Sequence, residues 1–540
     1  MNKKIGIFFK FNKIFKKKIF SPLIWLLGVS FFKGLIWAGI VPLWHFPDEQ
    51  AHFAQLQNTA EQRSISWKLK KTTSREIYES ELILGTLRDE RGNNKFTFHP
   101  EYNLSYTNIF IGEAEPKLKT LDVSTRQEMI INEATGYPPL YYVAGAIFYW
   151  LAYFGNLFNR VFLVRVFSVL ITTVTIYLSY KIGELIFKKE LLALVLGILV
   201  SFHPMFSFVG SGVSSDVLFN FFFTLFIWSS LLIFQKANIQ SFSIFILSLV
   251  GGLLTKQQMI VGVLLLPLIL GVFIWKKIRK IKKEIFSIKT ALIVGISFLL
   301  ILLALKYGEL RRVFGFIRAG KDDNLRNLGL IEHLFWTGGH TIAEVLPWYW
   351  GVFKWLGVVL PRWVNRVQMR LLGLATIGLL VWLVKIFKRR KVKKIDWQIG
   401  FLVLVSGAYF MAVTLWDWQF RRAYGFSFGI QGRYFFPTIG AHMGLILFGL
   451  MNLVPQKLKP WLLLFLVNWW FVLFFIGLWT IITAYYQIWP LSTLGCQISQ
   501  YKPFWFKGYW WFLWVSLFIF SFLGLLFNLF KKIIYEIQKN

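Results

Sequence analysis

The residues best suited to chemistry lie in one short stretch, His45-Phe46-Pro47-Asp48-Glu49-Gln50-Ala51-His52, directly after the first long apolar run. Two adjacent carboxylates flanked by histidines are costly to leave without partners at the mouth of a membrane helix. A carboxylate can act as a general base, so Asp48 and Glu49 are the candidate catalytic residues. If this turn is helical, Glu49 and His52 share one face and are weak candidates for metal ligands. The alternative is a plain helix start, with proline and acids in the first turn.

The elements that must position these residues are membrane helices. The chain has 540 residues, of which 56% are hydrophobic, including 25 Trp and 57 Phe. Repeated apolar runs of about 20 residues match the hydrocarbon thickness of a bilayer, so the sequence predicts an all-α polytopic membrane protein. The net charge of +34 lies in short basic clusters between apolar runs, which is typical of cytoplasmic loops and argues against a nucleic-acid partner. A single cysteine, Cys496, excludes an intrachain disulfide.

The basic clusters predict about 12 spans in the cell membrane, with both termini in the cytoplasm. We place the spans near residues 22–44, 161–187, 190–210, 215–235, 240–255, 258–275, 288–306, 369–387, 397–416, 435–454, 460–486 and 508–530. The apolar stretch from Pro138 to Phe154 has the hydropathy of a span, but a crossing there would move every later basic cluster to the opposite side. We therefore predict that it forms an aromatic helix lying in the membrane interface.

This topology divides the chain into four parts. They are a basic cytoplasmic N-terminus (1–20), an N-terminal transmembrane module (21–306) with an extracytoplasmic loop at 45–160, a second extracytoplasmic loop (307–368) and a C-terminal transmembrane module (369–540). The first loop holds 14 of the 26 acidic residues, which fits the side away from the basic clusters. The sequence has no clear internal repeat and no Ser/Gly-rich linker that would mark a soluble domain.

Charged and polar residues at membrane depth usually mark function. In the predicted topology, several of them collect at the extracytoplasmic ends of the spans and are candidate substrate-binding residues: His52, Arg165, His203, Asp216, Lys256, Gln431 and Arg433. Together they predict a cavity that opens outward and is lined by carboxylates and cations. Simpler roles stay open: Ser214-Ser215-Asp216 as a helix cap, Lys256 extending to the interface, and Arg433 binding lipid head groups.

Seven motifs occur in order along the chain: Phe46-Pro47-Asp48-Glu49-Gln50-Ala51-His52-Phe53, Gly136-Tyr137-Pro138-Pro139-Leu140-Tyr141-Tyr142, Arg165-Val166-Phe167-Ser168, Ser215-Asp216, Gly252-Leu253-Leu254-Thr255-Lys256, Trp350-Gly351-Val352-Phe353-Lys354-Trp355 and Gln431-Gly432-Arg433-Tyr434-Phe435-Phe436-Pro437. Taken together, they resemble integral-membrane glycosyltransferases of the GT-C fold, and especially the bacterial family called domain of unknown function 2142. The resemblance covers about residues 20 to 480. Phe46 stands where the family usually has proline, and Ser215 where asparagine is expected.

The resemblance implies a GT-C-like bundle whose long outer loops carry interfacial helices, with an active site on the extracytoplasmic face. It also implies a polyprenyl-phosphate sugar donor, a glycan, lipid or protein acceptor, and an acidic motif at the position of Asp48. We predict a glycosyltransferase in which Asp48 takes the acceptor's hydroxyl proton and Glu49 orients the acceptor or helps a metal. Lys256 and Arg433 would bind the donor's phosphate. No cofactor is assigned, and a divalent metal stays an open alternative.

Two other functions stay open. A transporter or flippase of a lipid-linked sugar, or of another anionic substrate, would usually bind it near the membrane midplane at a repeat interface. A non-enzymatic assembly factor would use the outer loops as binding surfaces. Trp348, Trp350 and Trp355 in the second loop suit either stacking on sugar faces or anchoring in membrane lipids.

Overall fold

The computed structural model describes residues 21–63, 72–89, 93–131, 137–280, 329–389 and 391–539. The predicted basic N-terminus, the predicted span at 288–306, Gly136 of the second motif and the start of the second loop lie outside these residues. Within the described residues the protein is an all-helical membrane bundle, with a smaller folded unit between its first two long helices.

The helices follow from long apolar runs separated by prolines, glycines and charged residues. In the first half they are α1 (Pro22–Ile40), α2 (Glu49–Gln62), α3 (Arg75–Leu84), α4 (Asn108–Lys119), α5 (Leu140–Leu151), α6 (Leu157–Phe187), α7 (Glu190–Ser201), α8 (Pro204–Val209), α9 (Ser215–Gln235), α10 (Ile239–Leu253) and α11 (Ile260–Lys280). In the second half they are α12 (Leu330–His340), α13 (Leu346–Trp350), α14 (Arg362–Arg389), α15 (Lys394–Tyr424), α16 (Ile439–Leu453), α17 (Lys459–Tyr485), α18 (Leu491–Ile498) and α19 (Trp510–Lys539).

Nine helices in the described part of the chain are long and apolar enough to cross a membrane. They are α1, α6, α9, α11, α14, α15, α16, α17 and α19. The predicted span at 190–210 is divided into α7 and α8, because Pro204 has no N–H to continue the ladder and His203 caps the new helix instead. Together with the shorter apolar α10, these helices confirm the prediction of an all-α polytopic membrane protein.

The apolar stretch at 138–154 forms α5, which has only 12 residues. At about 1.5 Å per residue it is far too short for a hydrocarbon core of about 30 Å. It packs against α2 and α6 and buries Tyr141, Tyr142 and Tyr149 there. This agrees with the prediction that the stretch does not cross the membrane.

The first predicted loop is a folded unit built from α2 to α5 and a two-stranded sheet. Strands β1 (Thr72–Ser74) and β2 (Met129–Ile131) are antiparallel, with Thr73 opposite Ile130. A buried ion pair between Arg160 at the start of α6 and Glu76 in α3 ties this unit to the bundle. Gln57 in α2 donates to the same Glu76 carboxylate over 2.7 Å. The unit is therefore held rigidly beside one end of the long helices.

The second predicted loop includes a short hairpin, β3 (Val352–Phe353) and β4 (Val358–Val359). Three successive residues in its turn, Lys354, Trp355 and Leu356, have φ values of 51°, 51° and 66°. The left-handed region is unfavourable for such side chains, so the surrounding contacts must hold this turn in place. The hairpin packs close to the residues that follow α1.

Basic residues lie at the ends of the helices opposite to Asp48. Lys188 and Lys189 follow α6, and Lys531 and Lys532 lie in the last turns of α19. Lys532 donates to Glu190 over 2.7 Å, which puts the end of α19 beside the start of α7. The bundle thus has one strongly basic end and one end that carries Asp48.

Candidate active site

Asp48 lies in the short segment between α1 and α2, where its backbone adopts a left-handed conformation with φ of 57°. One carboxylate oxygen, Oδ1, accepts a hydrogen bond from Nη2 of Arg88 over 3.0 Å. The other oxygen, Oδ2, accepts from Nη2 of Arg433 over 2.8 Å. The Asp48 side chain is 33% exposed, whereas those of Arg88 and Arg433 are 11% and 7% exposed. The carboxylate therefore bridges two guanidinium groups at an accessible point.

The charges around Asp48 determine its protonation. Burial raises the pKa of the carboxyl, but the positive charges of Arg433 and Arg88 lower it by more, so the pKa lies well below its usual value. Asp48 is consequently ionised throughout the physiological pH range.

Arg88 was not predicted from the sequence. It lies in the loop after α3, with no motif or apolar pattern around it. In the structure its guanidinium lies over the Trp355 ring at 4.8 Å, and the Trp355 indole N–H donates to the Trp44 carbonyl over 3.3 Å. The hairpin of the second loop thus supports a residue of the first loop, which only tertiary contacts can reveal.

A second ion pair joins Lys256, just after α10, to Asp216 in the first turn of α9. The Lys256 ammonium also lies over the Tyr137 ring at 4.4 Å. Ser214 caps α9 by accepting from the Asp216 N–H, so the cap predicted as the simpler role is present. Because Ser214 makes the cap, the Asp216 carboxylate is available to pair with Lys256. The Lys256 side chain therefore points to Asp216 and does not extend toward the membrane interface.

His52 lies between the two ion pairs and is buried. Its Nδ1 is 2.9 Å from the Tyr142 hydroxyl and its Nε2 is 3.3 Å from Ser214 Oγ, while its ring stacks on Tyr137. Burial and the charge of Lys256 lower the pKa of His52 to about 3, so the imidazole is neutral. Both nitrogens are used to hold the α9 cap and α5 together, which makes His52 a positioning residue.

Asp48, Arg88, Asp216, Lys256 and Arg433 form what we call the Asp48 cluster. The four members other than Arg88 lie close enough to His52 for their charges to shift the pKa of its imidazole. Three cations face two carboxylates, which leaves one net positive charge. Such a set, with two guanidinium forks and one ammonium, suits the oxygens of an anionic ligand such as a phosphate.

Glu49, although adjacent to Asp48, is fully buried and turned into the protein. Its carboxylate accepts from Nε of Arg165 over 2.8 Å and from Nη2 over 2.6 Å. The same guanidinium donates to the carbonyls of Ala38, Val41 and Pro42. With both side chains 0% exposed, this geometry does not support the predicted catalytic role for Glu49 or the binding role for Arg165. The pair instead fixes the segment that carries Asp48.

Gln431 and His203 have different places in the structure. Gln431 accepts from Nε of Arg433 over 2.8 Å and so orients that guanidinium beside Asp48. His203 is fully buried away from the cluster, where Nδ1 accepts from the Phe206 N–H to cap α8 and the ring stacks on Trp350. The predicted substrate contact for His203 is not supported, because its neighbours are the core of the bundle.

Glu49 and His52, the two metal candidates, bond other groups of the protein in this structure. Across the described ranges no group of three or more His, Cys, Asp or Glu side chains converges on one point. The oxygens of Glu49 bond Arg165 and the Trp44 N–H, and the nitrogens of His52 face Tyr142 and Ser214. Trp350 is also buried, at 1% exposure, which excludes it from stacking on a sugar.

The family model described as "Predicted membrane protein (DUF2142)" matches residues 31–440. The chain belongs to this family. The match extends over every member of the Asp48 cluster, and it confirms the resemblance to domain of unknown function 2142. No curated protein matches this DUF2142 chain in sequence.

Two solved structures are similar to this DUF2142 protein. ArnT from Cupriavidus metallidurans bound to undecaprenyl phosphate aligns with a TM-score of 0.40 and 11% identity, over 94% of this chain and 75% of that chain. Archaeal oligosaccharyltransferase AglB from Archaeoglobus fulgidus, in complex with an inhibitory peptide and a dolichol-phosphate, aligns with a TM-score of 0.40 and 12% identity. The alignment covers 85% of this chain and 56% of AglB, so the chain spans little more than half of that protein's length.

Proposed function

We propose that this protein is a membrane glycosyltransferase that moves a sugar from a polyprenyl-phosphate donor to an acceptor hydroxyl. The observation that carries the proposal is the Asp48 carboxylate held between two arginines in a partly exposed, net positive cluster. An inverting transfer needs a base for the acceptor's proton and cations for the charge that develops on the leaving phosphate. The cluster contains both kinds of group within one set of contacts.

Asp48 is the proposed general base, because it is the more exposed of the two carboxylates in the cluster. Arg433 and Arg88 would bind phosphate oxygens through their guanidinium forks, and Lys256 would supply a third positive charge. Asp216 would hold Lys256 in place through their ion pair. Glu49 and Arg165 would act indirectly, by fixing the backbone on which Asp48 stands.

The basic ends of the helices support an orientation for this site. Lys and Arg are enriched in cytoplasmic loops, so the end with Lys188, Lys189, Lys531 and Lys532 would face the cytoplasm. The Asp48 cluster would then lie at the extracytoplasmic surface, at the level of a lipid's phosphate. The apolar faces of the long helices would accommodate the prenyl chain, and the folded unit after α1 would contact a glycan, lipid or protein acceptor.

The test is release of radiolabelled sugar from a panel of polyprenyl-phosphate sugars by the purified protein, with Asp48→Asn alongside. We expect label to leave the prenyl lipid with the wild type only, in the presence of membrane extract as a source of acceptors. No release from any donor by folded wild-type protein would contradict the proposal. Flux of a lipid-linked sugar through reconstituted vesicles would then be measured, to test the transporter alternative.

A further inference from the structure

Both carboxylate oxygens of Asp48 are already occupied by the groups proposed to bind phosphate. Oδ1 accepts from Arg88 over 3.0 Å and Oδ2 from Arg433 over 2.8 Å. A carboxylate and a phosphate present the same kind of charged oxygen to a guanidinium group. One pair of arginine donors therefore has two competing acceptors, one of which belongs to the protein itself.

We propose that Asp48 occupies the anion position between Arg88 and Arg433 in the ligand-free protein and that the phosphate of an incoming lipid displaces it. The proposal rests on the proposed function for the identity of the ligand as a lipid-linked phosphate. It goes beyond that function because it states that the Asp48 carboxylate and the donor's phosphate compete for Arg88 and Arg433 and cannot bind both arginines at the same time.

The contacts around the two arginines favour movement of Asp48 rather than of the arginines. Arg433 is held at Nε by Gln431, and the Arg88 guanidinium lies over the Trp355 ring, 4.8 Å from its centroid. Neither contact depends on the Asp48 carboxylate, so both guanidinium groups keep their supports when the carboxylate leaves. Asp48 itself is one-third exposed and is the cap residue before helix α2, so it is the most exposed of the three side chains.

Displacement would couple donor binding to the chemistry. While Asp48 bridges the arginines, both of its oxygens accept hydrogen bonds from cations, and it is a poor acceptor for a hydroxyl proton. Once phosphate oxygens take the arginine donors, the carboxylate is released beside the donor that has just bound. The base would then become available only when a donor is in place.

The test is equilibrium binding of undecaprenyl phosphate to the full-length protein in detergent, comparing the wild type with Asp48→Asn. Asparagine also adopts left-handed backbone, so the variant should fold, and its neutral amide competes weakly for the arginines. Only protein molecules whose arginines have released Asp48 can bind the phosphate through them. The apparent affinity of the wild type for the phosphate is therefore reduced in proportion to that fraction of molecules. We therefore expect Asp48→Asn to bind undecaprenyl phosphate about tenfold more tightly than the wild type, although its sugar transfer is strongly reduced.

Glu61→Gln is the matched control. It removes one negative charge from the same folded unit, but the Glu61 carboxylate accepts from the hydroxyls of Tyr149 and Tyr153 and binds neither arginine. We expect its affinity to equal that of the wild type. Undecaprenol, which lacks the phosphate, and inorganic phosphate, which lacks the lipid, are the two further probes. Tighter binding by Asp48→Asn of undecaprenyl phosphate, with no such gain for undecaprenol, supports displacement by a lipid-linked phosphate.

Equal or weaker binding of both undecaprenyl phosphate and inorganic phosphate by Asp48→Asn would overturn the proposal. An equal gain for Asp48→Asn and Glu61→Gln would also overturn it, because the effect would then be one of overall charge. A gain seen with inorganic phosphate but not with the lipid would overturn the lipid assignment. Binding is measured without turnover, so the two proposals can fail separately. If Asp48→Asn shows the expected gain in binding but the wild type releases no sugar from any donor, the glycosyltransferase function is contradicted and the displacement of Asp48 is still supported.

Discussion

Asp48 and Glu49 are neighbours in sequence but have opposite environments. Asp48 is 33% exposed and bridges arginines from two distant parts of the chain. Glu49 is 0% exposed and shares its carboxylate with Arg165, which is itself bonded to the end of α1. The difference arises at the start of α2, where the backbone turns one side chain out toward the cluster and the next one inward. One carboxylate is thus available for chemistry, and the other holds the structure together.

The two groups of arginines differ in the same way. Arg165 donates to Glu49 and to three backbone carbonyls, so its donors are used inside the protein. Arg88 and Arg433 face the carboxylate of Asp48, which is one-third exposed. Breaking a fully buried ion pair such as Glu49–Arg165 is costly, whereas the displacement proposed for Asp48 exchanges one anion for another. The comparison predicts which substitutions reduce stability and which reduce activity.

The largest effect is expected for Asp48→Asn. Loss of a general base lowers a rate by about 100- to 10,000-fold, so sugar transfer should fall by at least 100-fold. The thermal midpoint should fall, because the Asp48 charge stabilises the two arginines, but by less than in a variant of the fully buried Glu49, since Asp48 is one-third exposed. The measurement is transfer rate beside thermal unfolding, on the same preparation. Retention of more than a tenth of wild-type transfer would remove Asp48 as the base.

Glu49→Gln should show the converse behaviour. Removing one partner of a buried ion pair costs about 3 to 5 kcal/mol, so the folded yield and the thermal midpoint should fall. Glu49→Leu combined with Arg165→Met should recover part of this loss, because the double variant leaves no buried charge unpaired. A Glu49→Gln protein of unchanged stability that loses transfer would instead support the original prediction of a catalytic Glu49.

The arginines of the Asp48 cluster should contribute to affinity for phosphate. Hydrogen bonds to charged groups are worth about 1.5 to 3 kcal/mol, so Arg433→Gln should weaken binding of undecaprenyl phosphate by about 10- to 100-fold. Arg433→Lys, which keeps the charge but not the fork, should lie between this variant and the wild type. Unchanged affinity in Arg433→Gln would place the phosphate away from Asp48.

The pH dependence of transfer distinguishes the cluster from an ordinary titrating site. Because the pKa values of Asp48 and of His52 both lie below the physiological range, wild-type kcat/KM should show no acidic limb from either group between pH 5 and pH 8. The Asp48 pair is lost only when the pH falls below the usual carboxyl pKa and approaches the lowered one. A limb near pH 6.5 that disappears in His52→Gln would contradict this interpretation.

The smallest effect is expected at the hairpin that supports Arg88. Burial lowers the pKa of Lys354 to about 8, although Glu101 opposes the shift. Between this value and the usual 10.5 the unfolded chain binds more protons than the folded one, so stability should rise with pH there. We expect a small rise in the thermal midpoint from pH 7 to pH 9 that is absent in Lys354→Met. An identical slope in both proteins would assign the rise to other groups.

Local patterns predicted the helices well because a span is a local property. Runs of apolar residues between basic clusters indicated the membrane helices, including the stretch at 190–210, which was predicted as one unbroken span. The charge pattern alone predicted that the stretch forming the short α5 does not cross the membrane. The pattern did not show that Pro204 would divide one span into α7 and α8, because a proline inside a membrane helix can also be kept without a break, as Pro267 is in α11.

The site was predicted in part. Asp48, Asp216, Lys256, Gln431 and Arg433 were expected to converge, and the structure places the four charged ones near His52 and Gln431 against Arg433. His203 was expected near substrate, and Trp350 either there or at the membrane interface, but the two rings pack on each other in the core. Hydropathy and charge place a residue at a depth in the membrane, but they do not say toward which neighbour its side chain turns.

The sequence by itself determined that this is a multi-spanning helical membrane protein of the DUF2142 family, with carboxylates and cations gathered at one end. Apolar run length, basic clusters and motif order are properties of neighbouring residues, so they are readable without a fold. Only the tertiary structure decided that Asp48 and not Glu49 is accessible and that Arg88 completes the cluster. Arg433 reaches Asp48 from 385 residues away, and such contacts depend on how whole helices pack.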